Sequence, residues 1–129
     1  MKYRILIVCA NYYSDISNNL LKDAKTTLKS KAKYQIINVP GVFEIPVIIA
    51  KNIKKYHGFV ALGCVIKGET PHFDFISQAT TNAIMNLSVI NKKPIGNGII
   101  TCLNMRQAIA RKNKGAEAAK AAISILLQK

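Results

Sequence analysis

The residues best suited to chemistry lie in one stretch, Leu62-Gly63-Cys64-Val65-Ile66-Lys67-Gly68-Glu69-Thr70-Pro71-His72-Phe73-Asp74-Phe75. It opens as an apolar strand and breaks at Lys67-Gly68. Thr70-Pro71 then reads as the cap and first position of a helix: a threonine oxygen can accept from an early helical N–H, and proline's fixed φ suits the first turn. His72 falls in that turn. A strand, a polar loop and a helix N-terminus together present free backbone N–H groups to an anion. A histidine beside them can move protons near neutral pH. The competing role for His72 is a helix cap with no part in chemistry.

Ligands of open parallel sheets gather beyond the C-terminal ends of the strands. Three loops are expected there, at 11–14, 40–44 and 66–72. They offer the rings of Tyr12 and Phe43, the carboxylate of Glu44, His72, and the helix N-terminus at Glu69-Thr70. That set suits a planar ring joined by an anionic group. It holds no nucleophile paired with a base, since Ser14 has no partner near it and no Gly-x-Ser-x-Gly elbow occurs. Gly-x-Gly-x-x-Gly and Walker patterns are also missing. Structural roles compete at each position. Phe43 could be a core aromatic, Glu44 a stabilising first-turn carboxylate, and Arg111 a cation at a helix C-terminus. His57 is expected to be structural at a helix end, and Tyr13 to pack on the surface or at an interface.

The elements that must position these groups alternate along the chain. Ile5 to Ala10 is a continuous apolar run, as in a strand buried on both faces. Ser14 or Ser17 can cap a helix that keeps Ile16, Leu20, Ala24 and Leu28 on one face and ends near Lys31. Tyr34 to Val39 is a second strand. Glu44 and Pro46 start a second helix reaching about Tyr56. Its Ile45, Val47, Ile48, Ile49, Ala50 and Ile53 cover nearly the whole circumference, so the helix is either buried on both sides or, the preferred reading in so small a domain, covered on its second face by another subunit. Gly58 to Val65 is a third strand, and Phe73 to Asn91 a helix with Ile76, Ala79, Ala83, Ile84, Leu87 and Ile90 at helical spacing. Ile95 to Leu103 is a fourth strand and Met105 to Arg111 a short helix. Asn113-Lys114-Gly115 breaks the chain before an alanine-rich helix from Ala116 to Leu127. Such alternation implies an α/β fold: a four-stranded parallel sheet with helices on both faces.

The 129 residues form one expected domain, 1–129, and half of them are hydrophobic, which argues against disorder. No apolar run approaches a membrane span and no secretory signal is evident, so the expected location is cytoplasmic. Cys9, Cys64 and Cys102 are scattered in apolar strands without metal-ligand spacing, as reduced core thiols would be. The formal net charge is +13, which raises the possibility of nucleic-acid binding. All the cations except Arg4, Arg106 and Arg111 are lysines, however, in clusters such as Lys29-Lys31-Lys33, Lys54-Lys55, Lys92-Lys93 and Lys112-Lys114. No aromatic-basic interleaving accompanies them. A basic solvated surface, attractive to small anions, is the preferred reading.

Three segments carry a family resemblance. Gly63-Cys64-Val65-Ile66-Lys67-Gly68-Glu69-Thr70-Pro71-His72-Phe73-Asp74 resembles the signature of the lumazine synthases, which make the immediate precursor of riboflavin. Val39-Pro40-Gly41-Val42-Phe43-Glu44-Ile45-Pro46 resembles that family's second motif. Gly98-Ile99-Ile100-Thr101, Gln107-Ala108 and Asn113-Lys114-Gly115 resemble its C-terminal part. The resemblance implies a flavodoxin-like three-layer sandwich and a transferase that needs no cofactor and no metal. It would condense 5-amino-6-(D-ribitylamino)uracil with a dihydroxybutanone phosphate. The implied partners are these small molecules, further copies of the chain in a pentamer or shell of pentamers, and riboflavin synthase, with no nucleic acid and no membrane.

Carried over by position, the resemblance implies that Tyr12 and Phe43 border the pyrimidine and that Val42 and Phe43 offer it backbone groups. Glu44 would bind ribityl hydroxyls, and Cys64, Val65 and Ile66 would contact the ring edge. Glu69 and Thr70 would give N–H groups to the phosphate, His72 would shuttle protons, and Arg111 would clamp the phosphate with Lys114 adding charge. Asn97, Arg111 and Lys114 would reach the site from a neighbouring subunit. Asn97 stands where many members have an aromatic ring, and the chain is shorter than typical between Arg111 and Asn113. Two other readings compete. A flavin-binding module would want a hydroxyl-rich phosphate loop after the first strand, where this chain has Asn11-Tyr12-Tyr13-Ser14-Asp15. A nucleic-acid-binding domain would show steep salt dependence.

Overall fold

A computed structural model describes residues 2–111 and 113–128. Lys112, part of the expected lysine cluster, lies outside the described residues, as do Met1 and Lys129. The chain runs β1 (Tyr3–Ala10), α1 (Ser14–Leu28), β2 (Ala32–Val39), a 3-10 turn (Val42–Glu44), α2 (Ile45–Asn52), β3 (Gly58–Ile66), α3 (His72–Asn91), β4 (Ile95–Cys102), α4 (Met105–Ala110) and α5 (Lys114–Leu126). The sheet has four parallel strands in the order β2-β1-β3-β4. The expected α/β, flavodoxin-like three-layer architecture is therefore present.

Strand periodicity divides the core. Ile5, Ile7 and Cys9 of β1 face α1 and α5, together with Val60, Leu62, Ile100 and Cys102. Leu6, Val8 and Ala10 face the other way, with Phe59 and Ala61, against Val42, Ile45, Ile49 and Ile84. The back layer of α1 and α5 is closely seated. A Cβ on Gly96 would lie 2.0 Å from the Ala118 carbonyl oxygen, and one on Gly115 would lie 2.1 Å from that of Leu20. Only glycine permits such approach of backbone to backbone. This is why the expected break at Asn113-Lys114-Gly115 is instead a helix start: α5 begins at Lys114 and uses Gly115 to dock on α1.

Several boundaries differ from expectation. The expected face of α1 is correct, and Ile16, Leu20, Ala24 and Leu28 are buried. Tyr13 is the N-cap, however, and makes no side-chain cap. The Ser17 hydroxyl turns back and donates to the Ala10 carbonyl at 2.5 Å, closing the end of β1. Helix α2 stops at Asn52. The Lys93 ammonium donates to the carbonyls of Ile53 at 2.6 Å and Tyr56 at 2.9 Å, satisfying acceptors beyond the helix end. His57 is structural, but not through a helix dipole: its Nδ1 accepts the Arg4 N–H at 2.9 Å.

The front layer is less covered. Ile45 and Ile49 of α2 are fully buried, while Val47 is 56% exposed. On α3 only Thr80 and Ile84 are buried, and Phe75, Met85, Val89 and Ile90 stand open to solvent. The helical spacing of α3 was legible, yet much of its apolar surface has nothing against it within this chain.

Candidate active site

Sheet order places the crevice. The chain leaves β1 for β2 on one side and returns for β3 on the other, so the loops after these strands diverge at their C-terminal ends. A cavity of about 470 Å³ opens there, lined by Tyr12, Tyr13, Gly41, Val42, Phe43, Glu44, Cys64, Val65, Ile66, His72 and Ile76. This is a size that suits a small organic ligand.

Each wall has a local cause. Behind the cavity, Gly63 allows the 3-10 turn to settle on β3, since a Cβ there would lie 2.6 Å from Val42 Cγ1. Val42 is thereby buried, and Phe43, 61% exposed, is left at the rim facing the same opening as Tyr12. Tyr12 and Tyr13 meet edge to face, with centroids 4.9 Å apart. The third wall is the end of β3, where burial and the neighbouring Cys102 push the Cys64 thiol up to about 12. A thiol held that high stays protonated and is no nucleophile. Cys9 is pushed up by burial to about 11. All three cysteines are free and buried, as core thiols should be.

His72 is the first residue of α3 and Pro71 its N-cap, one residue later than the spacing suggests. Thr70 Oγ1 still accepts the His72 N–H, at a long 3.4 Å. Glu69 and Thr70 lie on the exposed approach to α3 and do not line the cavity. Tyr13, expected to be surface or interface packing, does line it. Gly41 and Ile76 join it as well. Ile76 could have been found from its place one helical turn beyond His72. Nothing in the sequence indicates which way the Tyr12-Tyr13 loop turns.

The remaining expected site residues cluster elsewhere. Asn97, Arg111 and Lys114 line a separate depression of about 630 Å³ along the edge strand β4. Its lining and that of the first cavity have no residue in common. Asn97 Oδ1 accepts the Ile99 N–H at 3.0 Å, satisfying a donor on the open edge. Arg111 Nη1 donates to the Thr101 carbonyl at 2.9 Å, which fixes the guanidinium against β4 and leaves its other donors for a ligand. Lys114 pairs at 3.7 Å with the exposed Glu117. One chain thus carries an aromatic, histidine-bearing cavity and, apart from it, a cationic groove. Among the described residues no cluster of histidine, cysteine or carboxylate side chains could hold a metal ion, and no helix is long and apolar enough to cross a membrane.

Comparison with known proteins gives one consistent result. The profile of a family described as 6,7-dimethyl-8-ribityllumazine synthase matches residues 2–129. The chain is 47% identical to the 6,7-dimethyl-8-ribityllumazine synthase of Bartonella henselae, covering 99% of this chain and 89% of that protein. It is 45% identical to that of Agrobacterium fabrum, over 97% and 93%. For that of Bartonella tribocorum the identity is 46%, over 99% and 91%.

Proposed function

The chain belongs to the 6,7-dimethyl-8-ribityllumazine synthase family, and on that premise we propose how its two separate half-sites carry out the family's reaction. The activity is that of a lumazine synthase, a transferase of riboflavin biosynthesis: 5-amino-6-(D-ribitylamino)uracil and L-3,4-dihydroxy-2-butanone 4-phosphate are condensed. The observation that supports the site assignment is the division of labour between the half-sites. Rings and His72 lie in one cavity, and the phosphate-matching Arg111 lies in another.

In this reading the pyrimidine enters the 470 Å³ cavity between Tyr12 and Phe43. Backbone groups of Val42 and Phe43 and the end of β3 at Cys64, Val65 and Ile66 meet its edge, and Glu44 takes the ribityl hydroxyls. The phosphate ester lies at the N-terminus of α3, where Glu69 and Thr70 offer N–H groups and the helix dipole favours an anion. Arg111 of an adjacent subunit, with Lys114 adding charge, closes on the phosphate, a guanidinium matching it in a bidentate fork, while Asn97 of that subunit approaches the face of the pyrimidine. The substrate amine attacks the ketone and water leaves to give an imine. Phosphate is then expelled, and ring closure releases a second water. His72 moves protons in these steps, and holding both reactants in one place supplies much of the acceleration.

Such a site requires neighbours. Helices α2 and α3 pack together and carry Val47, Phe75, Met85, Val89 and Ile90 exposed, which is more apolar surface than a lone chain of this size keeps without a partner. A ring of five chains, or a shell of such rings, working in the cytoplasm is the proposed assembly. The test is to mix the two substrates with the protein, follow the lumazine chromophore, and size the same sample. Product from a particle several subunits large is expected. Product from a strict monomer would refute the shared site, and no product would refute the assignment of substrates. Co-elution with riboflavin synthase tests that partner on the same column.

A further inference from the structure

We propose that Tyr13 is a specificity-determining residue for the heterocyclic substrate, its ring setting the tilt of Tyr12 and its hydroxyl donating a hydrogen bond to the polar edge of the ligand. This role rests on the proposed placement of the pyrimidine in the cavity. Tyr13 lines that cavity together with Tyr12 and Cys64. Its ring packs on the back-layer core and stands at 80° to that of Tyr12, with centroids 4.9 Å apart. The backbone is fixed too, because the Tyr13 carbonyl accepts the Ser17 N–H at 3.0 Å as α1 begins. The ring is therefore held on one side and exposed to the cavity on the other.

Its hydroxyl has no hydrogen-bond partner within the chain among the described residues. A phenol held by its ring, with its hydroxyl open to solvent at the cavity, can donate to a ligand that enters. Partial burial, with Tyr12 and Cys64 nearby, moves the phenol further above its ordinary range. It therefore keeps its proton and remains a donor across the working pH. Uracil carbonyls and ribityl hydroxyls are acceptors of the matching kind, and a phosphate ester bound at the start of α3 is served by other groups.

The test uses Tyr13→Phe and Tyr13→Leu in the intact assembly. It measures kcat, KM for each substrate, thermal midpoint, and calorimetric affinity for the ribitylaminouracil alone. Loss of one hydrogen bond is expected to weaken heterocycle binding in Tyr13→Phe by about 3- to 10-fold. KM for the butanone phosphate and the thermal midpoint should stay unchanged. Tyr13→Leu should weaken heterocycle binding by about a further 3- to 10-fold as the edge-to-face pair is lost. An unchanged heterocycle affinity in Tyr13→Phe, or equal changes for both substrates, would overturn the proposal. If Tyr13→Leu does not fold, Tyr13→Phe decides alone. Calorimetry separates this idea from the reaction assignment: a wild-type protein that binds the aminouracil but forms no product contradicts the latter and still tests Tyr13.

Discussion

Replacing Gly63 by alanine tests whether the cavity is built from behind. The new Cβ would meet Val42 Cγ1 at 2.6 Å and Ala10 Cβ at 3.1 Å, with Ile45 Cδ1 beyond at 3.9 Å. Carbon atoms pack best at about 3.5–4.0 Å, so Val42 must retreat by roughly 1 Å. It cannot do so by rotating, because a β-branched side chain is stiff at χ1 and Val42 is only 7% exposed. The 3-10 turn must lift, and Phe43 and Glu44 move with it. Overpacking of this kind costs about 1–3 kcal/mol. For a chain of this length that lowers the melting midpoint by roughly 4–12 °C at equal protein concentration. A displacement near 1 Å at a positioning wall can cost about 100-fold in rate. The assay is lumazine formation with both KM values, beside a circular dichroism melt. Gly68→Ala is the control, since nothing lies within 4 Å of a Cβ there; it should change stability by less than about 0.5 kcal/mol. If Gly63→Ala keeps the wild-type midpoint and rate, the turn is not held in the way described.

Other outcomes follow from the same geometry. His72→Ala should lower kcat by about 10²–10⁴-fold, as loss of a positioned proton carrier does, with little change in melting because His72 is exposed; equal losses of stability and rate would contradict the role. Arg111→Lys should raise KM for the phosphate substrate while sparing the aminouracil, since an ammonium cannot supply the bidentate fork; steady-state kinetics with each substrate varied would show it. Lys92 ends α3 in the left-handed conformation at φ 54°, so Lys92→Gly should stabilise the protein in denaturant melts, since relief of about 1–2 kcal/mol of left-handed strain exceeds the roughly 0.5–1 kcal/mol of added chain entropy. The folded thiols of Cys9 and Cys64 are raised from 9.0 to about 11 and about 12, so the native state holds these protons longer than the unfolded chain. Their contribution is complete below about pH 8 and is lost as pH rises through 9 toward 12, which melts across an alkaline series will reveal.

The sheet could be read from the sequence because unbroken apolar runs at Ile5–Ala10 and Gly58–Val65 are of strand length and fit strands covered on both faces. Most of the aromatic cavity is legible because ligands of open parallel sheets gather beyond the C-terminal ends of such strands. The misses share a physical cause. Whether Ser17 caps its own helix or the end of β1, and whether Gly115 breaks a helix or docks one, depends on what lies opposite in space. Lys93 reaches the carbonyls at Ile53 and Tyr56 across about 40 residues of sequence, which no local pattern encodes. Tyr13 reads as surface or interface packing because adjacent aromatics in a loop carry no periodicity, and its place on the cavity wall shows only in the structure. Only the family resemblance singles out Asn97, Arg111 and Lys114 together, and they gather in a groove apart from the aromatic cavity.

The glycine contacts behind the sheet make the molecule unequal in compliance. Where Gly96 meets the Ala118 carbonyl and Gly115 meets that of Leu20, main chain rests on main chain and no side chain can yield. Strain arriving from a bound ligand therefore has no outlet through α5 or α1. It must be absorbed by the opposite side, in the short turn at Val42–Glu44 and the helices beyond it. The rear of the protein serves as an anvil, and accommodation to substrate is confined to the side that carries the cavity.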